Sequence, residues 1–334
     1  CSNQNPKRIF ERWLTMQAEN ILAKNISAAG RKSSYDAACK RLLANKIILA
    51  WIMKSCLVEY KDCDVKEIAE CYIEGEPQIS SITVNPDESS NTEQITGMAT
   101  QDATITEGTI TYDIRFFATI LSSTHQIRLF INLEAQNDFY PGYPIIKRGL
   151  YYCSRMISSQ YGTEFSSSQY DQSKKVYSIW ICMNPPENRR NTITRYSIHE
   201  ENIVGNVHEI PQNYDLLSAI IICLSDSEQE ADSGVLKLLE VLLSPTREAA
   251  EKKQILQADF HIKMTRKLEK EVSTMCNLSK GIEEIGLREG KKEGILFSIQ
   301  SLMETMNFTM EEAMNALKIP KTEQEQYTKK LKQK

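Results

Sequence analysis

The stretch Thr111–Gln136, TYDIRFFATILSSTHQIRLFINLEAQ, decides how the chain is read. From Ile127 onward, Ile127, Leu129, Ile131, Leu133 and Ala135 fall on one face, while Arg128, Asn132, Glu134 and Gln136 fall on the other. This period of two is the signature of a half-buried β-strand. In the first half Ile114, Phe116 and Ala118 share a face, and Asp113, Arg115 and Thr119 share the opposite one, interrupted by Phe117. The stretch is therefore expected to be a hairpin. A symmetric turn within Ser122–His125 is centred between Ser123 and Thr124 and sets Asp113 directly opposite Glu134. Opposed residues of an antiparallel pair project from the same face with Cβ atoms roughly 4.5 to 5.5 Å apart. Two carboxylates at that distance repel, so one is expected to have a raised pKa, and a divalent cation would relieve the conflict. Gln136 lies on the same face, two residues further on.

Composition narrows the functional classes. Of 334 residues, 41% are hydrophobic and 25% charged, ordinary values for a globular protein with a sizeable core. The net charge of −4 argues against a nucleic-acid coat spread over the whole surface. Basic residues gather from Lys7 to Lys66 and at the lysine-rich end, whereas Glu76–Glu107 holds acids and no Lys or Arg, so any nucleic-acid contact is expected to be local. Nine cysteines without a C-x-x-C pair, most in apolar surroundings, read as buried thiols of a reduced, cytoplasmic protein. The four histidines lack ligand spacing, which disfavours zinc. The longest apolar run, Leu216–Leu224, is far short of the roughly 20 residues that span a bilayer. No signal peptide is visible, and because the chain opens on Cys1 rather than Met, its true start is expected upstream.

Residues 1–34 read as a polar, basic helical tail. Tyr35–Ile73 is strongly helical, and the polar composition of Gly75–Gly108 marks a long loop or a weak strand around Ile82–Val84. Pro141, Gly142 and Pro144 then break the chain before a helix at Ile145–Tyr161, whose apolar stripe is Ile146, Leu150, Cys153 and Ile157. Arg148, Tyr152, Arg155 and Ser159 form a second face that would look toward the strand-borne acids. Val176–Met183 and Thr192–His199 read as further strands and Leu216–Leu224 as a buried strand, with a short buried helix as the alternative that periodicity leaves open, giving a mixed α/β core over residues 35–245. Residues 246–297 read as a charged helical extension with Gly281, Gly286, Gly290 and Gly294 at near-regular spacing, either a marginal helix or one that packs closely. Residues 298–334 read as a small helical hairpin with Phe308, Met310, Ala313, Leu317 and Ile319 inside and Thr309 starting its second helix.

The ordered series Asp113, NLEAQ at 132–136, PGYPIIKRGLYYCSRMISSQYG at 141–162, KVYSIWICMNPP at 175–186, YDLLSAIIICL at 214–224 and MCNLSKGIEE at 275–284 resembles the PD-(D/E)XK nuclease family transposases, the Rpn recombination-promoting nucleases. The resemblance covers roughly Tyr35–Gly294. It implies a restriction-endonuclease-like mixed β-sheet flanked by helices, acting as a metal-dependent DNA endonuclease in recombination or on a mobile element. Asp113 maps onto the first acid, and Glu134, Ala135 and Gln136 onto the E-x-K element, so glutamine stands where the pattern has lysine. The implied catalytic residues are Asp113, Glu134 and Gln136, with Mg²⁺ or Mn²⁺ held by Asp113, Glu134 and the Ala135 carbonyl. Such an ion lowers the pKa of a bound water and neutralises charge on the phosphodiester. Arg148 and Tyr152, one helical turn apart, are candidate phosphate contacts. DNA is the implied partner, with homo-oligomerisation through the C-terminal helices. Gln136 removes a cation from the site, and that keeps a second reading open, a catalytically silent DNA-binding or assembly module on the same fold.

Overall fold

The computed structural model describes residues 30, 33–80, 101–104, 108–121, 126–225 and 234–331. Of the expected tail at 1–34, residues 1–29 and 31–32 lie outside the described residues, as do Ile82–Val84 and the turn Ser122–His125, while residues 33 and 34 belong to the first helix. The chain divides into two compact units, Cys1–Leu278 and Ser279–Lys334.

The first unit is α/β. Helix α1 covers 33–43, α2 Lys46–Cys56 and the short α3 Val65–Glu67, which runs into a wide helical turn at Ile68–Tyr72. Asn45 caps α2, its side chain accepting from the Ile47 amide, and Asp64 caps α3 in the same way through the Lys66 and Glu67 amides. Strands β1 (Gln78–Ile79), β4 (Ile114–Leu121), β5 (Gln126–Asp138), β6 (Val176–Asn184), β7 (Thr192–Ser197) and β8 (Leu217–Cys223) form one mixed sheet in the order β1-β4-β5-β6-β8-β7. The β4–β5 hairpin is antiparallel, β5, β6 and β8 run parallel, and β7 closes the far edge antiparallel to β8. Strands β2 (Gln101–Thr104) and β3 (Gly108–Thr111) pair separately.

Helix α4 (Ile145–Ser158) connects β5 to β6 and covers one face of the sheet, where Phe130, Trp180, Cys182, Ala219 and Ile221 meet Tyr152, Cys153 and Met156. The opposite face, carrying Leu129, Ile131, Leu133, Ile179 and Ile220, packs under α1, α2, α5 (Gly234–Leu243), α6 (Ala249–Ala258) and the start of α7 (Arg266–Met306). Strands β6 and β8 are covered on both sides, which is why they read as apolar runs broken in their interiors only by Ser178 and Ser218, both buried.

Three features differ from the sequence expectation. Leu150, placed in the apolar stripe of α4, is exposed, whereas Tyr152 and Arg155 are buried. The helix is rotated so that Gly149 meets the sheet: a Cβ there would lie 3.1 Å from Trp180 Nε1. The charged stretch from Arg247 is two helices broken at 259–265, where His261 takes a left-handed φ of 52°. Leu256, Phe260, Ile262, Leu268, Val272 and Met275 all enter the main core, so the division of the chain falls at 278/279 instead of at 245/246.

In the second unit α7 runs unbroken through Gly286, Gly290 and Gly294, and a Cβ at any of the three would meet no atom of the chain itself within 4 Å. Helices α8 (Met310–Ala316) and α9 (Lys321–Leu331) complete a small cluster around Ile299, Ala313, Met314, Ile319 and Tyr327; Leu317, expected inside, is 38% exposed. Thr309 and Glu312 form a reciprocal capping box at the start of α8. Among the described residues no helix is long and apolar enough to cross a membrane.

Candidate active site

Ile114 pairs with Leu133, so Asp113, the residue just before β4, stands opposite Glu134 on β5. Alternation along β5 sends Asn132, Glu134 and Gln136 to the α4 face, because Leu129, Ile131, Leu133 and Ala135 occupy the other. The two acids are interlocked through the backbone. The Asp113 amide donates to Glu134 Oε1 at 3.0 Å, and the Ala135 amide donates to Asp113 Oδ2 at 3.2 Å. Asn132 Nδ2 adds a second donor to Glu134 Oε1 at 3.0 Å. Each carboxylate thus completes backbone pairing where β4 begins.

Glu134 is 4% exposed, and its carboxyl is held well above the ordinary glutamate range, first by burial and then by the negative charge of Asp113. Hydrogen bonds from the Asp113 amide and Asn132, and the positive charge of Arg148, act in the opposite direction. Among the described residues Glu134 Oε2 makes no hydrogen bond, so this oxygen retains capacity for a ligand.

Two cations balance the acids. Lys40, from α1, places Nζ 2.6 Å from Asp113 Oδ1, with both side chains largely buried. Arg148, from α4, donates through Nε and Nη2 to Tyr152 Oη at 3.2 and 2.7 Å, and its guanidinium lies 5.2 Å from the centre of the Trp180 ring. Tyr152 also stacks edge-on against Tyr112. Burial pushes the Tyr152 hydroxyl up, with the charge of Glu134 adding to it, so it stays a protonated donor. Of the expected second face of α4, Arg148 and Tyr152 act on the strand acids, whereas Arg155 donates to Tyr151 and Ser159 accepts from Arg115; Gln136 is half-buried.

The structure therefore brings together Asp113, Glu134, Ala135, Arg148 and Tyr152, with Gln136 two residues beyond Glu134. Sequence reasoning missed two members. Asn132 was visible as part of the polar face of β5, and its complete burial is what makes it a partner of Glu134. Lys40 carries no comparable signal, since it lies 73 residues before Asp113 in a stretch that reads only as helix.

The donor set suits a hard cation. Two carboxylates converge at one strand edge, and the Ala135 carbonyl points to the same edge as its amide, because the amide and carbonyl of one strand residue share a direction. Among the described residues no group of three or more His, Cys, Asp or Glu comes together. One or two carboxylates, with the remaining positions left to water and substrate phosphate, is the usual arrangement for Mg²⁺. By contrast, three of the buried cysteines are held as inert thiols. Burial pushes the Cys39, Cys56 and Cys153 thiols up to about 12. Comparison of the chain with protein-family models, with curated proteins and with solved structures returned no match.

Proposed function

We propose that the chain is a divalent-metal-dependent DNA endonuclease with a restriction-endonuclease-like core, of the PD-(D/E)XK type that serves recombination or mobile elements. The observation that carries this reading is the opposed pair Asp113 and Glu134, interlocked at the start of β4 beside Lys40. Asp113, Glu134 and the Ala135 carbonyl would hold Mg²⁺ or Mn²⁺. When bound, that ion supplies an acidified water and charge neutralisation at the phosphate.

The remaining work falls to side chains of this chain. Lys40 brings to Asp113 the positive charge that Gln136 lacks, so it stabilises negative charge developing beside that carboxylate. Gln136 orients a water through its amide. Arg148, stacked on Trp180 and tied to Tyr152, receives a substrate phosphate without having to be ordered first. Asn132 keeps Glu134 Oε1 occupied, which directs Oε2 outward. Gln136 in the lysine position favours the second reading, a silent DNA-binding or assembly module.

Supercoiled plasmid incubated with the full chain and Mg²⁺ or Mn²⁺, beside Glu134→Ala, separates the two. Nicking that requires the metal, stops in EDTA and is lost in the variant supports the nuclease. Equal DNA binding by both proteins with no cutting by either overturns it in favour of the silent module.

A further inference from the structure

Beyond the acids, a cleft of about 370 Å³ opens where α4 begins, lined among others by Phe139, Tyr140, Tyr143, Arg189, Thr194 and Tyr196. That volume lies within the roughly 300–1,000 Å³ of small-ligand sites. It sits at the carboxyl ends of β5 and β8, since Phe139 follows the last residue of β5 and Cys223, also in its wall, ends β8. In open α/β sheets this is the edge at which ligands collect. Tyr140 is 65% exposed and Tyr143 43%, so two amphipathic rings present themselves to solvent at its mouth. Arg189 lies 5.9 Å from the centre of the Phe139 ring. Among the described residues none that lines the cleft is acidic, which leaves it with the one positive charge of Arg189.

The cleft is joined to the acids. Arg148 Nη1 donates to Tyr143 Oη at 3.4 Å, and the same guanidinium acts on Glu134. Phe139 lies five positions beyond Glu134, about 16 Å along extended chain at roughly 3.3 Å per residue, so one strand of nucleic acid spans both places. Exposed aromatic rings beside a guanidinium are the means by which proteins hold unpaired bases: the ring stacks on the base and the cation meets the backbone.

We propose that this cleft takes an unpaired base of the substrate strand, stacked on Tyr140 and Tyr143, so that the chain acts on single-stranded or locally opened DNA. This rests on the nuclease reading for the identity of the substrate.

The test is anisotropy of three fluorescein-labelled probes of equal length with the full chain in EDTA: a thymidine single strand, the same backbone with abasic positions, and a duplex. The base-bearing single strand is expected to bind about fivefold tighter or more than the abasic strand and the duplex, and Tyr140→Ala to erase the difference. Because Tyr140 is so exposed, the variant keeps the wild-type melting temperature. Equal binding of the base-bearing and abasic strands, equal or tighter binding of the duplex, or base dependence that survives Tyr140→Ala overturns the proposal. So does thymidine monophosphate competing as well as the strand, since a free nucleotide is then the occupant. Metal-dependent cutting without base dependence overturns the cleft alone. Base-dependent binding by a chain that never cuts upholds the cleft and overturns the nuclease.

Discussion

Asp113 and Glu134 stand opposite one another at the start of β4, and each carboxylate is bonded to a backbone amide of the other strand, at 3.0 Å from the Asp113 amide and 3.2 Å from the Ala135 amide. Backbone pairing holds two like charges together that solvent would separate. The strain of that arrangement is expressed at Glu134, the more buried of the two.

Glu134→Gln is therefore expected to stabilise the metal-free chain at neutral pH. The folded-state carboxyl is raised above its ordinary value of 4.5, so the folded chain holds its proton more tightly than the unfolded one. That contribution is complete below pH 4.5 and is lost as pH rises through the folded-state pKa. The substituted amide would keep an oxygen that accepts from the Asp113 amide, and it carries no charge. Thermal melts in EDTA should place the variant a few degrees above wild type at pH 8, with the gap closing toward pH 4.5. A variant that melts lower at pH 8 would contradict the charge conflict.

Lys40→Met separates metal binding from catalysis. The ammonium lies 2.6 Å from Asp113 Oδ1 and competes for an oxygen that an incoming ion would use. Calorimetric titration should show Mn²⁺ binding tighter than in wild type, while plasmid nicking falls by about 10²-fold, the scale for loss of one preorganised charge-stabilising donor. Unchanged nicking, or loss of Mn²⁺ binding, would remove Lys40 from the site.

Lys252→Met is expected to cost about 2 kcal/mol, measured as a fall in the urea midpoint. Lys252 is fully buried, and its Nζ donates to the Leu242 and Ser244 carbonyls at 2.9 and 2.7 Å, closing the end of α5. Methionine fills similar space and leaves both carbonyls without that donor. A neutral result would mean that water reaches them.

A chain ending at Leu278 should keep the melting temperature of the first unit. The last α7 residues in the main core, Leu268, Val272, Met275 and Cys276, are retained, and Leu278 itself only packs against its margin. A chain ending at Pro245 should not fold, because it loses Lys252, Leu256, Phe260 and Ile262 as well. Circular dichroism melts of both truncations decide the boundary, and equal stability of the two would refute it.

Local pattern was enough to determine the strands β4 to β7, the opposition of Asp113 and Glu134, and a helix start at Thr309, because each depends on residues near in sequence; for β8 periodicity alone left strand and short buried helix both open. The pKa conflict followed from register alone, since two carboxylates forced into one cross-strand pair repel whatever surrounds them. Only the tertiary structure decided the rotation of α4. Its apolar residues encircle much of the helix, and Gly149 against Trp180 selects which of them face the sheet. It also decided that residues 249–276 belong to the core, since a charged helix reads as solvated until a buried partner such as the α5 carbonyls claims its lysine. Lys40 is the sharpest case: its ion pair with Asp113 joins α1 to a residue 73 positions later in the chain, and such a contact leaves no periodic trace in either segment.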